Sequence, residues 1–175
     1  ICASASFSEA GRANAGDFGE QLTGAPASSF ALISGALATR DDARVGAQAE
    51  AEALAKVDRA ALFDEDEAIQ AAGVAAFLAF RNVTPSADVA ADLHAALRDF
   101  APFNHLVNIT MSRAQRVVDL PAAVFPDAPD DRRRLALDAL LAMGSRARRA
   151  QGEASLLPCR LHTFFRGLPG LWACM

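Results

Sequence analysis

The chain has 175 residues, is 52% hydrophobic and 22% charged, and carries a formal net charge of −4. That composition belongs to a folded domain and excludes a disordered segment, and the length allows one core, or one domain with part of a second. No stretch approaches the ~18 continuous apolar residues of a membrane span, the start lacks the basic region and apolar run of a secretory signal, and three scattered cysteines (Cys2, Cys159, Cys174) are too few for a disulfide framework. A reducing cytoplasm is the expected compartment, with no membrane partner. The chain starts at Ile1 and stops one residue after Cys174, so it is expected to be a piece of a longer protein.

Charge is unevenly placed. Residues 1–100 hold 7 basic and 15 acidic side chains, whereas residues 101–175 hold 10 and 6. An acidic front and a basic back point any nucleic acid to the second half, unless the arginines only solvate helix faces.

In chain order, residues 1–7 read as the end of a buried strand and residues 11–22 as a helix with Phe18 and Leu22 on one face. Gly24-Ala25-Pro26 ends that helix, and residues 30–33 read as a second short strand. Residues 1–38 therefore have the strand–helix–strand order of a parallel sheet. Residues 39–46 are polar and turn-rich, a linker. Residues 47–63 read as one helix. Asp64 to Glu67 forms a D-x-x-E capping box with acid in the first helical turn, followed by an apolar stripe of Ile69, Ala72, Ala76, Phe77 and Phe80. Thr84-Pro85-Ser86 opens another helix, striped by Val89, Leu93, Leu97 and Phe100. His94 beside that stripe reads as a surface or packing residue.

Ala101-Pro102 breaks the pattern. Residues 103–111 form a short helix with Leu106, Val107 and Met111 inside, and His105 at its start has no second ligand at metal spacing. Residues 112–116 are a basic loop, and residues 117–125 a short helix or turn broken by Pro121. Asp127 and Pro129 open a helix reaching to about residue 149, with Leu137, Leu140, Leu141 and Gly144 buried and arginines at both ends. Residues 47–154 thus form either a winged-helix-like unit or an ordinary helical bundle. Residues 159–166 alternate as a strand, Gly167-Leu168-Pro169-Gly170 turns, and residues 171–174 return antiparallel.

No G-x-x-x-x-G-K-[S/T], G-x-S-x-G, HExxH or paired CxxC motif occurs. Cys159 and His162 are three positions apart and face opposite sides of a strand, so with Cys174 they form no closed zinc site. Arg160, His162, Phe164, Arg166 and Trp172 combine cations with rings, as contacts to single-stranded nucleic acid do. The alternative is a hairpin that packs Phe164 on Trp172 with its arginines in water.

The C-terminal string Leu-Pro-x-Arg-x-His-x-Phe-x-Arg-Gly-x-x-Gly-Leu-Trp-Ala-Cys, residues 157–174, resembles a segment of bacterial superfamily 2 DEAD/DEAH-box helicases of the YprA (MrfA)-like type. Ser4-Ala5-Ser6 is similar to that superfamily's motif III, with Ser6 where the family usually has Thr. The resemblance implies a helix-dominated α/β protein. Residues 1–38 would be the C-terminal part of a RecA-like parallel α/β motor domain and residues 39–46 a linker. Residues 47–154 would be a helical insert, and residues 155–175 a β-hairpin leading to a truncated zinc-ribbon-like element. It further implies an ATP-dependent helicase as the full-length bacterial protein, with Ser4, Ala5 and Ser6 coupling hydrolysis to strand separation. ATP and Mg2+, and Zn2+ near Cys174, would be cofactors of the whole protein. Its partners would be nucleic acid, DNA before RNA, and the remainder of the helicase chain; the piece alone would be inactive. Asp64-Glu65-Asp66-Glu67 matches a DEAD box in letters only, since it opens a helix and follows the motif III position. The second reading is a non-enzymatic, small helical DNA- or protein-binding module.

Overall fold

A computed structural model describes residues 14–30, 39–112, 115–157, 164–166 and 172–174. The chain divides into two units, Ile1–Ala38 and Thr39–Met175. In the first, α1 (Ala15–Thr23) ends where Gly24 turns left-handed at φ 75° and donates its N–H to the Glu20 carbonyl, a conformation that costs glycine little. A 3-10 turn, Ala27–Ser29, follows. The Glu20 carboxylate ties the two together by accepting the Ala27 N–H at 2.9 Å. The strands expected at residues 1–7 and 31–33 lie outside the described residues, and Phe30, expected to begin the second, is the extended residue that closes the 3-10 turn.

The second unit is built around α7 (Asp130–Arg146). Its buried face, Ala136, Leu137, Ala139, Leu140 and Met143, packs against α2 (Gln48–Leu54), α4 (Val89–Leu97) and α6 (Leu120–Val124). Next to these lie α3 (Glu67–Phe80), which meets α2 and α4, and α5 (Ala101–Ser112), which meets α6. Phe77, Phe100, Phe103 and Phe125 are the largest fully buried side chains. Phe77 meets Phe100 edge-on, with centroids 5.6 Å apart and planes at 74°, the geometry that aromatic quadrupoles favour.

The α/β expectation is overturned. Among the described residues there is no parallel sheet and no end of a RecA-like motor domain, and residues 39–112 and 115–157 contain no strand, which also removes a winged-helix unit there. The chain is helical. What is described of the expected C-terminal hairpin is a three-residue antiparallel pairing of β1 (Phe164–Arg166) with β2 (Trp172–Cys174). Such a pairing does not make an α/β protein. Its register sets Arg166 opposite Trp172 and Phe164 opposite Cys174.

Several boundaries shift for local reasons. The helix expected over residues 47–63 breaks after Leu54, because Asp58 turns the chain: its carboxylate accepts the Ala60 and Ala61 N–H groups at 3.0 and 3.2 Å, and its own N–H reaches the Gly73 carbonyl at 3.0 Å. The N-cap of α3 is Asp66, accepting from Ala68 at 2.8 Å, and not Asp64, which caps Asp66 instead. Of the stripe expected on α3, Phe77 is buried but the rest is misplaced. Val74, Phe77 and Leu78 are buried, while Ile69 and Phe80 remain 44% and 42% exposed. Between Ala71 and Phe80 that helix has no polar side chain, so spacing alone cannot select the inward face. By contrast, Val89, Leu93, Leu97 and Phe100 are all buried, as the four-residue spacing of α4 predicts.

Residues 39–46, expected as a linker, are fastened to the helices. The Asn108 amide pairs with the backbone of Arg40, accepting its N–H at 2.8 Å and donating to its carbonyl at 2.9 Å. The Gly46 N–H reaches Val124 at 2.7 Å. A Cβ at Gly46 would stand 2.2 Å from the Phe125 ring, inside a fully buried site. Gly46→Ala is therefore expected to destabilise the fold by about 1–3 kcal/mol through overpacking, read as a lowered urea midpoint at unchanged slope.

Glu50 supplies the second fastening. It sits at the third position of α2, is buried, and reaches back to the Ala47 N–H at 2.8 Å. Burial pushes its carboxyl up, but two Arg44 nitrogens at 2.8 Å each and the Ala47 N–H outweigh burial and hold it below the ordinary carboxylate value. Stability from a carboxylate lowered in this way is present above the unfolded value and lost as pH falls through the folded one. Acidification below about 4.5 is thus expected to erode the stability of the native chain more steeply than that of Glu50→Gln; parallel pH profiles for the two proteins would refute it.

Candidate nucleic-acid interface

Three helix ends of the second unit meet around a cleft of about 430 Å³. Glu67 and Gln70 come from the first turn of α3, Asp88 from the cap of α4, and Arg146 and Arg148 from the end of α7. Local chemistry holds each in place. Asp88 caps α4 by accepting the Ala91 N–H at 3.1 Å. Buried Asp92 accepts both the N–H and the hydroxyl of Ser86 at 2.8 Å, bending the chain into that cap. α7 stops at Arg146 because the Arg148 N–H leaves the helix ladder and donates to the Ala90 carbonyl at 3.1 Å. Gln70 donates to the Asp64 carbonyl at 2.6 Å and accepts from Arg146 at 3.0 Å. The Arg146 guanidinium lies 5.8 Å from the centroid of Phe63, a ring left 59% exposed, within reach of a cation–π contact.

Charge singles this cleft out. Among the described residues, eight arginines are ion-paired to carboxylates: Arg44, Arg59, Arg98, Arg116, Arg132, Arg133, Arg134 and Arg149. Four are not. Arg40 and Arg81 turn inward over Phe103 and Phe100, at 5.2 and 4.9 Å. Arg146 and Arg148 line the cleft, and Arg148 is exposed. The two arginines left for an outside anion therefore lie together, beside an exposed ring. Glu67 and Asp88 also line the cleft; the Asp88 oxygen is engaged by the helix cap, and Glu67 is exposed to solvent.

Of the residues singled out from sequence, Ser4, Ala5, Ser6, Arg160 and His162 lie outside the described residues. Phe164, Arg166, Trp172 and Cys174 fall in the β1–β2 pairing at the register given above. The described residues contain no group of three His, Cys, Asp or Glu positioned to hold a metal ion, and no described helix is long and apolar enough to cross a membrane. Sequence reading placed Arg146 and Arg148 only as helix-end charges and put Phe63 inside a helix, so it did not find the cleft. The available signal was the arginine cluster at the end of a helix; the partner elements are ~60–80 residues away in sequence and carry no motif.

The chain matches no protein-family model and no solved structure. It is similar to the Druantia protein DruE of Escherichia coli (strain UMEA 4076-1), at 34% identity over 169 residues, covering 90% of this chain and 9% of that protein. The chain thus spans about a tenth of the length of the curated relative it matches. No helicase family is found. This overturns the expectation of an internal fragment of a YprA (MrfA)-like DEAD/DEAH-box helicase.

Proposed function

We propose that this chain is a non-enzymatic helical module that binds single-stranded nucleic acid at the α3–α4–α7 cleft. The observation that supports this reading is the pairing pattern of the arginines: among the described residues eight are ion-paired within the fold, and the two at the cleft are not. Phosphate affinity comes from guanidinium groups free to displace counterions. An exposed ring beside them offers a stacking surface that tolerates any base, and Phe63 stands in that place. Glu67, an acceptor without a cation partner among the described residues, suits an exocyclic amino group of a base. The basic second half of the chain agrees in sign. Arg160, His162, Phe164, Arg166 and Trp172 belong to the same proposal as a second contact region, on the strength of their cation and ring content.

The test is fluorescence anisotropy of a labelled single-stranded oligonucleotide titrated with the 175-residue chain across a salt series. Arg148→Ala is expected to weaken binding and reduce the salt slope by about 1. Phe63→Ala is expected to weaken binding by about 1–3 kcal/mol with little change in slope. DNA and RNA of the same sequence distinguish the two polymers. Binding by both variants equal to that of the native chain would remove the cleft from the interface, and no binding by the native chain would end the reading.

A further inference from the structure

The two ends of the helical unit meet on α5. Arg40 belongs to the incoming segment, and its backbone is held by the Asn108 amide at 2.8 and 2.9 Å. The next residue, Asp41, offers its carbonyl to the Asn104 amide at 3.0 Å, and Asn104 is buried. The side chain of Arg40 runs the other way. Its Nη2 donates to the Leu156 carbonyl at 2.6 Å, in the segment that leaves the unit, and its guanidinium covers the Phe103 ring at 5.2 Å. Leu156 and Leu157 are in turn hung on the last turn of α7 and the residue after it, donating to the Ala147 and Gly144 carbonyls at 2.8 and 3.1 Å. One residue therefore spans 116 positions of sequence to join the two ends.

The chemistry is unusual for an arginine. No carboxylate pairs with it among the described residues, so its charge is held by the Leu156 carbonyl, by the Asn104 side-chain oxygen, which accepts from Nη1 at 3.5 Å, and by an aromatic face. A half-buried cation in that position is costly unless its donors are satisfied. An apolar side chain would pack on Phe103 equally well but could not reach the Leu156 carbonyl. The outgoing segment leads directly into residues 158–175, where the sequence places Arg160, His162, Phe164, Arg166 and Trp172.

We propose that Arg40 is a latch that fastens the incoming and outgoing segments of the helical unit as one body, so that releasing either end releases the other. Asn108 positions the latch by pairing with the Arg40 backbone, and among the described residues its amide makes no hydrogen bond to Leu156 or Leu157. This inference does not depend on nucleic-acid binding.

The experiment is hydrogen–deuterium exchange of the 175-residue chain, read at two places: the amides of residues 40–44, and those of Leu156 and Leu157. Arg40→Ala is expected to speed exchange at both places by about tenfold or more, the size of a lost hydrogen bond to a charged group. Amides of α4 and α7 should keep their protection. Arg40→Lys, which keeps the charge but loses the planar fork, is expected to fall between Arg40→Ala and the native chain. Asn108→Ala is the decisive variant, because a latch carries its loss to Leu156 and Leu157, whereas two independent anchorages confine it to residues 40–44. Faster exchange at only one end in Arg40→Ala, or an unchanged outgoing end in Asn108→Ala, overturns the proposal. If Arg40→Ala fails to fold, Asn108→Ala and Arg40→Lys still decide it.

Discussion

Burial of one face of α7 is the constraint on which the helical unit depends. Leu137, Leu140 and Met143, with Ala136 and Ala139 between them, are removed from water by three other helices at once. Each large side chain so buried contributes about 1.5–3 kcal/mol, and the small residues between them let neighbouring backbones approach. α2, α4 and α6 are too short to persist alone in water; seven, nine and five residues long, they take their stability from this shared contact. The positions of the cleft and of Leu156 and Leu157 follow from where α7 stops.

Polar groups then define what the apolar core leaves loose. Glu50, Asp92 and Asn104 are buried, and each is satisfied: Glu50 by Arg44 and the Ala47 N–H, Asp92 by Ser86, and Asn104 by the Asp41 carbonyl. No buried side-chain nitrogen or oxygen among the described residues lacks a partner. These contacts lie at the joints between helices, where hydrophobic packing is indifferent to small shifts and directional hydrogen bonds are not. They convert a set of packed helices into a frame with fixed ends.

Arginine has three separate uses in this frame. On the surface it neutralises nearby acids, mostly one to six residues away, and exposed pairs of that kind contribute little to stability. Half-buried, at Arg40 and Arg81, it lies over a phenylalanine and donates to a backbone carbonyl. At the cleft, Arg146 and Arg148 form no ion pair among the described residues. The contrast among these three surroundings, and not the number of arginines, separates the candidate interface from an ordinary basic surface.

The sequence by itself determined the helices whose apolar residues recur at a fixed spacing against a polar background. Val89, Leu93, Leu97 and Phe100 in and after α4, and Leu137 and Leu140 in α7, are buried as their spacing requires. The proline before α7 marks its helix start, because proline's ring suits the first turn, whereas Pro102, read as a break, lies in the first turn of α5. Tertiary structure alone decided the rest. α3 is apolar nearly all round, so only its neighbours could choose which face to bury. Residues 39–46 carry turn chemistry, and only Asn104, Asn108 and Val124 reveal that they are fastened. The cleft joins side chains from α3, α4 and α7, and nothing in the local chain records that Phe63, Glu67 and Arg146 will meet. Local spacing determines a helix; a site assembled from three helix ends exists only once their packing has brought them together.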